Sequence, residues 1–182
     1  MANFTSRSAL ATLAIMSGIL SLPAGVEADT ITISNSLNAN IGALGSLSVP
    51  GSTNLTNTGT VFNAFSGTVA IQYRARTSAS GGGTLTMKVT QDFQTGGPSV
   101  AGGDLTYHCG SAGLGTACAS STASTSSATS VVTLPSSACT GGGAPCSATD
   151  PNTVNVTFNL ADRPVVKTGT FTASIQFTIS AT

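Results

Sequence analysis

Apolar and polar residues alternate with a period of two along most of this chain, and no stretch sustains a helical period. The clearest case is the last. Over residues 170–180, Phe171, Ala173, Ile175, Phe177 and Ile179 alternate with Thr170, Thr172, Ser174, Gln176, Thr178 and Ser180. Just upstream, Val154, Val156, Phe158 and Leu160 alternate with Thr153, Asn155, Thr157 and Asn159. Val69, Ile71, Tyr73 and Ala75 mark another strand, and Leu85, Met87 and Val89 a further one. Residues 44–49, 61–65, 105–109 and 130–134 carry weaker versions of the pattern. Residues 78–83, made of Ser, Ala and Gly, join two strong strands and read as a flexible hairpin loop. Side chains point to opposite faces along a strand, so each segment buries one face and wets the other.

The pattern predicts an all-β fold. Antiparallel strands at this spacing, separated by Gly, Pro and Ser, build sandwiches or barrels. An immunoglobulin-like antiparallel β-sandwich suits the length best, as a likeness of architecture only, because the chain has no Trp. Residues 109–146 break the pattern with a Ser/Thr/Ala tract over 120–130 and with Gly141-Gly142-Gly143. They read as a loop-rich excursion pinned by disulfides. The four cysteines, Cys109, Cys118, Cys139 and Cys146, allow three pairings. The sequence-local choice, Cys109 with Cys118 and Cys139 with Cys146, closes two short loops, each stabilising by about 2–3 kcal/mol on the chain-entropy estimate. Zinc would ask for tighter cysteine pairs with histidines nearby, and the chain has one histidine, His108.

The first residues read as an export signal. Arg7 and the amino group are followed by a mainly apolar stretch over 9–22, then by the small-residue site Val26-Glu27-Ala28. Residues 1–28 are expected to be removed, leaving 29–182 as one domain in an oxidising compartment, from the periplasm or secretory space to the cell surface. After position 28 no apolar run approaches the ~18–20 residues that span a bilayer, so no stable span is expected after cleavage. Charged residues make up 7% of the chain and balance to zero, which leaves no electrostatic footprint for nucleic acid. Near-neutrality permits close self-association.

A search for catalytic groups returns none, and the chain is read as a non-enzyme with no cofactor or metal. No G-x-S-x-G elbow presents a serine to His108. No Glu follows Glu27, and Asp92, Asp104, Asp150 and Asp162 stand in turn contexts where Asp bonds nearby backbone N–H groups. The glycine triplets lack the Lys-Ser/Thr of a phosphate loop. Arg74 and Arg76 share the strand face opposite Tyr73 and Ala75. They read as a solvated face, with an acidic ligand as the alternative. Aromatic residues are 5% of the chain, few for stacking on sugar rings.

The two ends of the exported chain carry the functional reading. Ile31, Ile33, Leu37, Ala39 and Ile41 share one phase, broken at Asn35, and residues 30–41 would extend about 3.3 Å each as a strand. Such a segment can pair at home or fill a neighbour's sheet by β-strand addition. The export signal, this alternating segment and the ending Lys167-Thr168-Gly169-Thr170-Phe171-Thr172-Ala173-Ser174-Ile175-Gln176-Phe177-Thr178-Ile179 together resemble subunits of the spore-coat-U and archaic chaperone–usher pilin group. The resemblance implies an incomplete immunoglobulin-like domain whose last strand, with Phe171, Ala173, Ile175, Phe177 and Ile179, lines an acceptor groove. It further implies a periplasmic chaperone holding that groove, an usher, and residues 31–41 as donor strand. The cysteine pairs and the 109–146 excursion depart from that family's pattern. The expectation is therefore a structural subunit of a cell-surface fibre or coat that associates with itself or related subunits. The alternative is a self-contained secreted surface, adhesion or carbohydrate-binding β-domain.

Overall fold

The structure is a computed structural model, and it describes residues 39, 41–57, 59, 62–139 and 143–182. The chain divides into two units, Met1–Ala39 and Asn40–Thr182. Within the second, nine strands form two antiparallel sheets packed face to face, an all-β sandwich. The strands are β1 (Leu44–Ser48), β2 (Phe65–Arg76), β3 (Gly83–Gln91), β4 (Leu105–Cys109), β5 (Thr116–Ala117), β6 (Ser120–Thr122), β7 (Thr129–Leu134), β8 (Asn152–Leu160) and β9 (Ser174–Ala181). One sheet runs β1-β2-β8-β4-β6, the other β5-β7-β3-β9. The helical content among the described residues is one 3-10 turn, Ala144–Cys146.

The core is made by the inward phase of each long strand. On β2 it is Val69, Ile71, Tyr73 and Ala75; on β8 it is Val154, Val156, Phe158 and Leu160; on β3 it is Leu85, Met87 and Val89. Val131, Val132 and Leu134 of β7 and Leu105 and Tyr107 of β4 complete it. Register fixes the two central strands of the larger sheet, with Ile71 opposite Val154 and Val69 opposite Val156. Tyr73 is buried, and its hydroxyl both donates to the Leu114 carbonyl and accepts from the Leu114 N–H. Burial pushes its phenol above the usual range against the opposing effect of that backbone bond.

Four features differ from the sequence reading; the smallest is that residues 62–64, within the weaker strand expected over 61–65, lie outside any strand, and β2 begins only at Phe65. Residues 78–83 are not a hairpin: β2 and β3 lie in different sheets, so the connection crosses the sandwich. Buried Thr77 anchors the crossing, donating through Oγ1 to the Pro135 carbonyl and accepting there from the Ala138 N–H. The 109–146 excursion is also less loop-like than its composition suggests. It supplies β6 to the edge of one sheet and β5 and β7 to the other. Finally, the last strand begins at Ser174 rather than Thr170, because the preceding segment packs on the turn at 94–97. There the Thr172 N–H donates to Gln94 Oε1 and the Lys167 N–H to the Gly96 carbonyl.

The loop after β3 turns on Asp92. Burial opposes its charged form, but the N–H groups of Val100, Phe93 and Ala101 and the Ser99 hydroxyl outweigh that and hold the carboxyl below its ordinary 3.8. A carboxylate with a depressed folded-state pKa contributes stability above its unfolded pKa and loses it as pH falls through the folded value. The Asp92→Asn variant should therefore melt below the parent at neutral pH, with the gap closing as pH is lowered past 3.8. Thermal melts of both chains across that range check the sign. A gap independent of pH would contradict it.

Candidate functional site

β9 is the edge of its sheet. It pairs with β3, from Gly83 opposite Ala181 to Gln91 opposite Ser174, and with no other strand among the described residues. The Thr182 N–H donates to the Gly82 carbonyl. In an antiparallel ladder successive residues bond alternately to either side, so Ser180, Thr178 and Gln176 bond to β3. The backbone N–H and C=O groups of Ile175, Phe177, Ile179 and Ala181 consequently face the open edge. A row of such groups is a template for pairing with another strand.

The same residues point their side chains into the sandwich, and there they are incompletely covered. Every inward residue of β9 (Ile175, Phe177, Ile179 and Ala181) is only partly buried, whereas Leu85, Met87 and Val89 directly beside them on β3 are fully buried. The reason lies opposite. β1 is five residues long and turns inward at Gly45 and Leu47. A Cβ at Gly45 would come within 3.2 Å of Ile179, so a glycine lets β1 sit close over that one side chain. Leu47 and Val49, further along the same segment, are themselves only partly buried against the core. The result is a partly exposed apolar strip beside a row of backbone donors and acceptors that no strand among the described residues pairs.

Of the residues assigned to the last strand, Ala173, Ile175, Phe177 and Ile179 are brought together against the core. Phe171 lies ahead of the strand with its ring over Gly97, where a Cβ would approach to 2.5 Å. Ile31, Ile33 and Leu37 of the N-terminal segment lie outside the described residues. Ala39 and Ile41 are exposed and outside any strand. Disulfides join Cys109 to Cys118 and Cys139 to Cys146. The first ties the end of β4 to the segment after β5, and so links the two sheets at the excursion.

His108 is exposed on β4, opposite Thr157 and Ser120. Asp104, buried, is held by Arg163 and by the Ser99 N–H. Among the described residues no group of three or more His, Cys, Asp or Glu is placed to hold a metal ion. No helix among them is long and apolar enough to cross a membrane. Compared with known proteins, the chain matches no protein-family model, no curated protein and no solved structure.

Proposed function

We propose that this protein is an exported, non-enzymatic structural subunit that assembles by β-strand addition, the segment 31–41 of one copy pairing with β9 of the next. The observation that carries the reading is that β9, only partly buried on its apolar face, has no strand partner along its outer edge among the described residues. Strand order supports it. An immunoglobulin-like sandwich places strands A-B-E-D in one sheet and C-F-G in the other. Here β1-β2-β8-β4 follows the first series, and β3-β9 follows C-F, with β5–β7 added on the far side of β3. Among the described residues no strand takes the place of G, the neighbour of β9. On this reading the domain is immunoglobulin-like and one strand short.

The segment 31–41 has the alternation such a gap requires. Its Ile31, Ile33, Leu37, Ala39 and Ile41 would enter the core while the polar residues between them face solvent. Contact between one end of a copy and the edge of another is head-to-tail and does not close, so it grows fibres or coats. The resemblance to the spore-coat-U and archaic chaperone–usher pilin group agrees with this arrangement. A periplasmic chaperone covering the β9 edge before assembly, and an usher, belong to the same proposal.

Peptide complementation tests it. A synthetic peptide of residues 30–41, added to a chain that starts at Gly42, should raise its melting temperature by several degrees. Ligand at 100 times Kd contributes about 2.7 kcal/mol, and each kcal/mol moves a domain of this size by about 2–4 °C. A peptide with Ile31→Asp and Ile33→Asp should leave the melt unchanged. If the native peptide also leaves it unchanged, strand addition at β9 is the wrong function.

A further inference from the structure

We infer that Arg76 is a positioning residue for assembly. It holds the root of the donor segment on the outer side of the larger sheet, and so directs that segment to a neighbouring copy instead of its own β9. The inference rests on the strand-addition reading above and adds to it the device that decides between pairing at home and pairing with a neighbour.

Arg76 is the last residue of β2 and lies opposite Leu44, the first of β1. Side chains alternate along a strand, so with Tyr73 and Ala75 buried in the sandwich Arg76 stands on the outer face. Its Nε and Nη2 both donate to the Gly42 carbonyl, at 3.0 and 2.7 Å. Two bonds from one rigid, planar guanidinium fix that carbonyl in direction as well as distance. The positive charge makes them stronger than bonds between neutral groups. Gly42 is where the segment 31–41 joins the domain, so the clamp sets the point from which the segment departs. Ile41, just ahead of it, is exposed and outside any strand.

The home site lies on the other side of the sandwich. Gly45, on the inward phase of β1, stands against Ile179, where a Cβ would come within 3.2 Å. The root of the segment is therefore at the Ile179 end of β9, but on the far sheet, and packed sheets are about 10 Å apart. A segment returning home has to round the start of β1 and cross that distance. It would then run in the direction of β9 itself. A parallel ladder is slightly less stable per residue than the antiparallel one a separate copy is free to make.

Releasing Gly42 from Arg76 moves the pivot to Leu44. That adds Gly42 and Ala43 as slack, roughly 7 Å of extended chain. With the clamp closed, the crossing uses up residues of the segment's own pairing length, Ala39 and Ile41 among them. The clamp thus penalises the home pairing and leaves the pairing with a neighbour untouched.

The test is Arg76→Gln in the chain that starts at Asp29, read by sedimentation velocity and by hydrogen exchange. Its assembly should need about ten-fold higher concentration than the parent's, the factor expected when a charge-assisted hydrogen bond is lost. In its monomers the amides of Ile175, Phe177 and Ile179 should exchange slowly, because the segment now covers its own edge. In Arg76→Gln starting at Gly42 the same amides should exchange fast. The peptide of residues 30–41 should raise the melting temperature of the Gly42 chain equally with and without the substitution. Arg76→Lys, a point charge without the fork, should assemble at a concentration between the two. Assembly of Arg76→Gln at the parent's concentration, or fast exchange of those amides in its Asp29 monomers, would overturn the role of Arg76 and leave strand addition standing. A peptide that shifts neither Gly42 chain would instead remove strand addition, and this inference with it.

Discussion

A chain that starts at Gly42 is expected to stay a monomer at concentrations where the chain that starts at Asp29 assembles into strings of copies. The two differ only by the segment that would supply the strand. The shorter chain keeps both sheets, because Asn40–Thr182 is a compact unit whose core residues all lie beyond position 42. Its β9 keeps an open edge, yet no copy has a free alternating segment to offer it. Loss of association should therefore be all-or-none, not graded. Sedimentation velocity on both chains, at matched concentrations, reads it directly. Two monomers of equal stability would remove the basis for the assembly reading. Association of the shorter chain would place the contact elsewhere on the domain.

Phe158→Ala should give the largest loss of stability in the core, about 3–5 kcal/mol. Phe158 is 2% exposed on β8, which lies between β2 and β4. Its neighbours in register are Tyr107 on one side, with ring centroids 6.2 Å apart, and Gly67 on the other. Gly67 brings no side chain to refill the gap. A Cβ there would come within 2.7 Å of the Asn54 carbonyl oxygen and of Leu55, so that corner is already closed by the chain before β2. Truncation thus leaves a cavity with little to collapse into it. Against a total of about 5–15 kcal/mol for a typical domain, the loss is a large fraction. Urea unfolding should show a lower midpoint with an unchanged slope. Thr157→Ala, one residue away and facing outward, should change stability by less than about 0.5 kcal/mol. Equal effects of the two would mean that β8 does not bury the face assigned to it.

The long strands were legible because burial on one face imposes a period that the residues must show. Val69, Ile71, Tyr73 and Ala75 on β2, and Val154, Val156, Phe158 and Leu160 on β8, are written in that period and are buried in the sandwich. Period alone does not say which strand lies beside which. Residues 78–83 look the same whether they fold a hairpin or carry the chain between sheets, and here they do the latter. β5 and β6 leave no trace in the pattern. Two and three residues long, they join their sheets through backbone bonds, and Ser120, Ser121 and Thr122 bring no apolar side chain. For the candidate sites the division is similar. The apolar phase of the last strand is plain in the sequence, but its place at the edge of its sheet, among the described residues, is a property of the assembled sheet. Arg74 and Arg76 visibly share a face. Arg74 donates to the Thr149 carbonyl and Arg76 to the Gly42 carbonyl, contacts with distant segments that leave no local signature.

Hydrogen exchange along β9 tests the central claim most directly. The amides of Ile175, Phe177, Ile179 and Ala181 face the open edge, while those of Gln176, Thr178 and Ser180 bond to β3. In the monomer that starts at Gly42 the first set should exchange fast and the second slowly. In assembled chains that start at Asp29 both sets should be slow. Fast exchange of the first set in the assembled material, or slow exchange in the Gly42 monomer, would contradict the account.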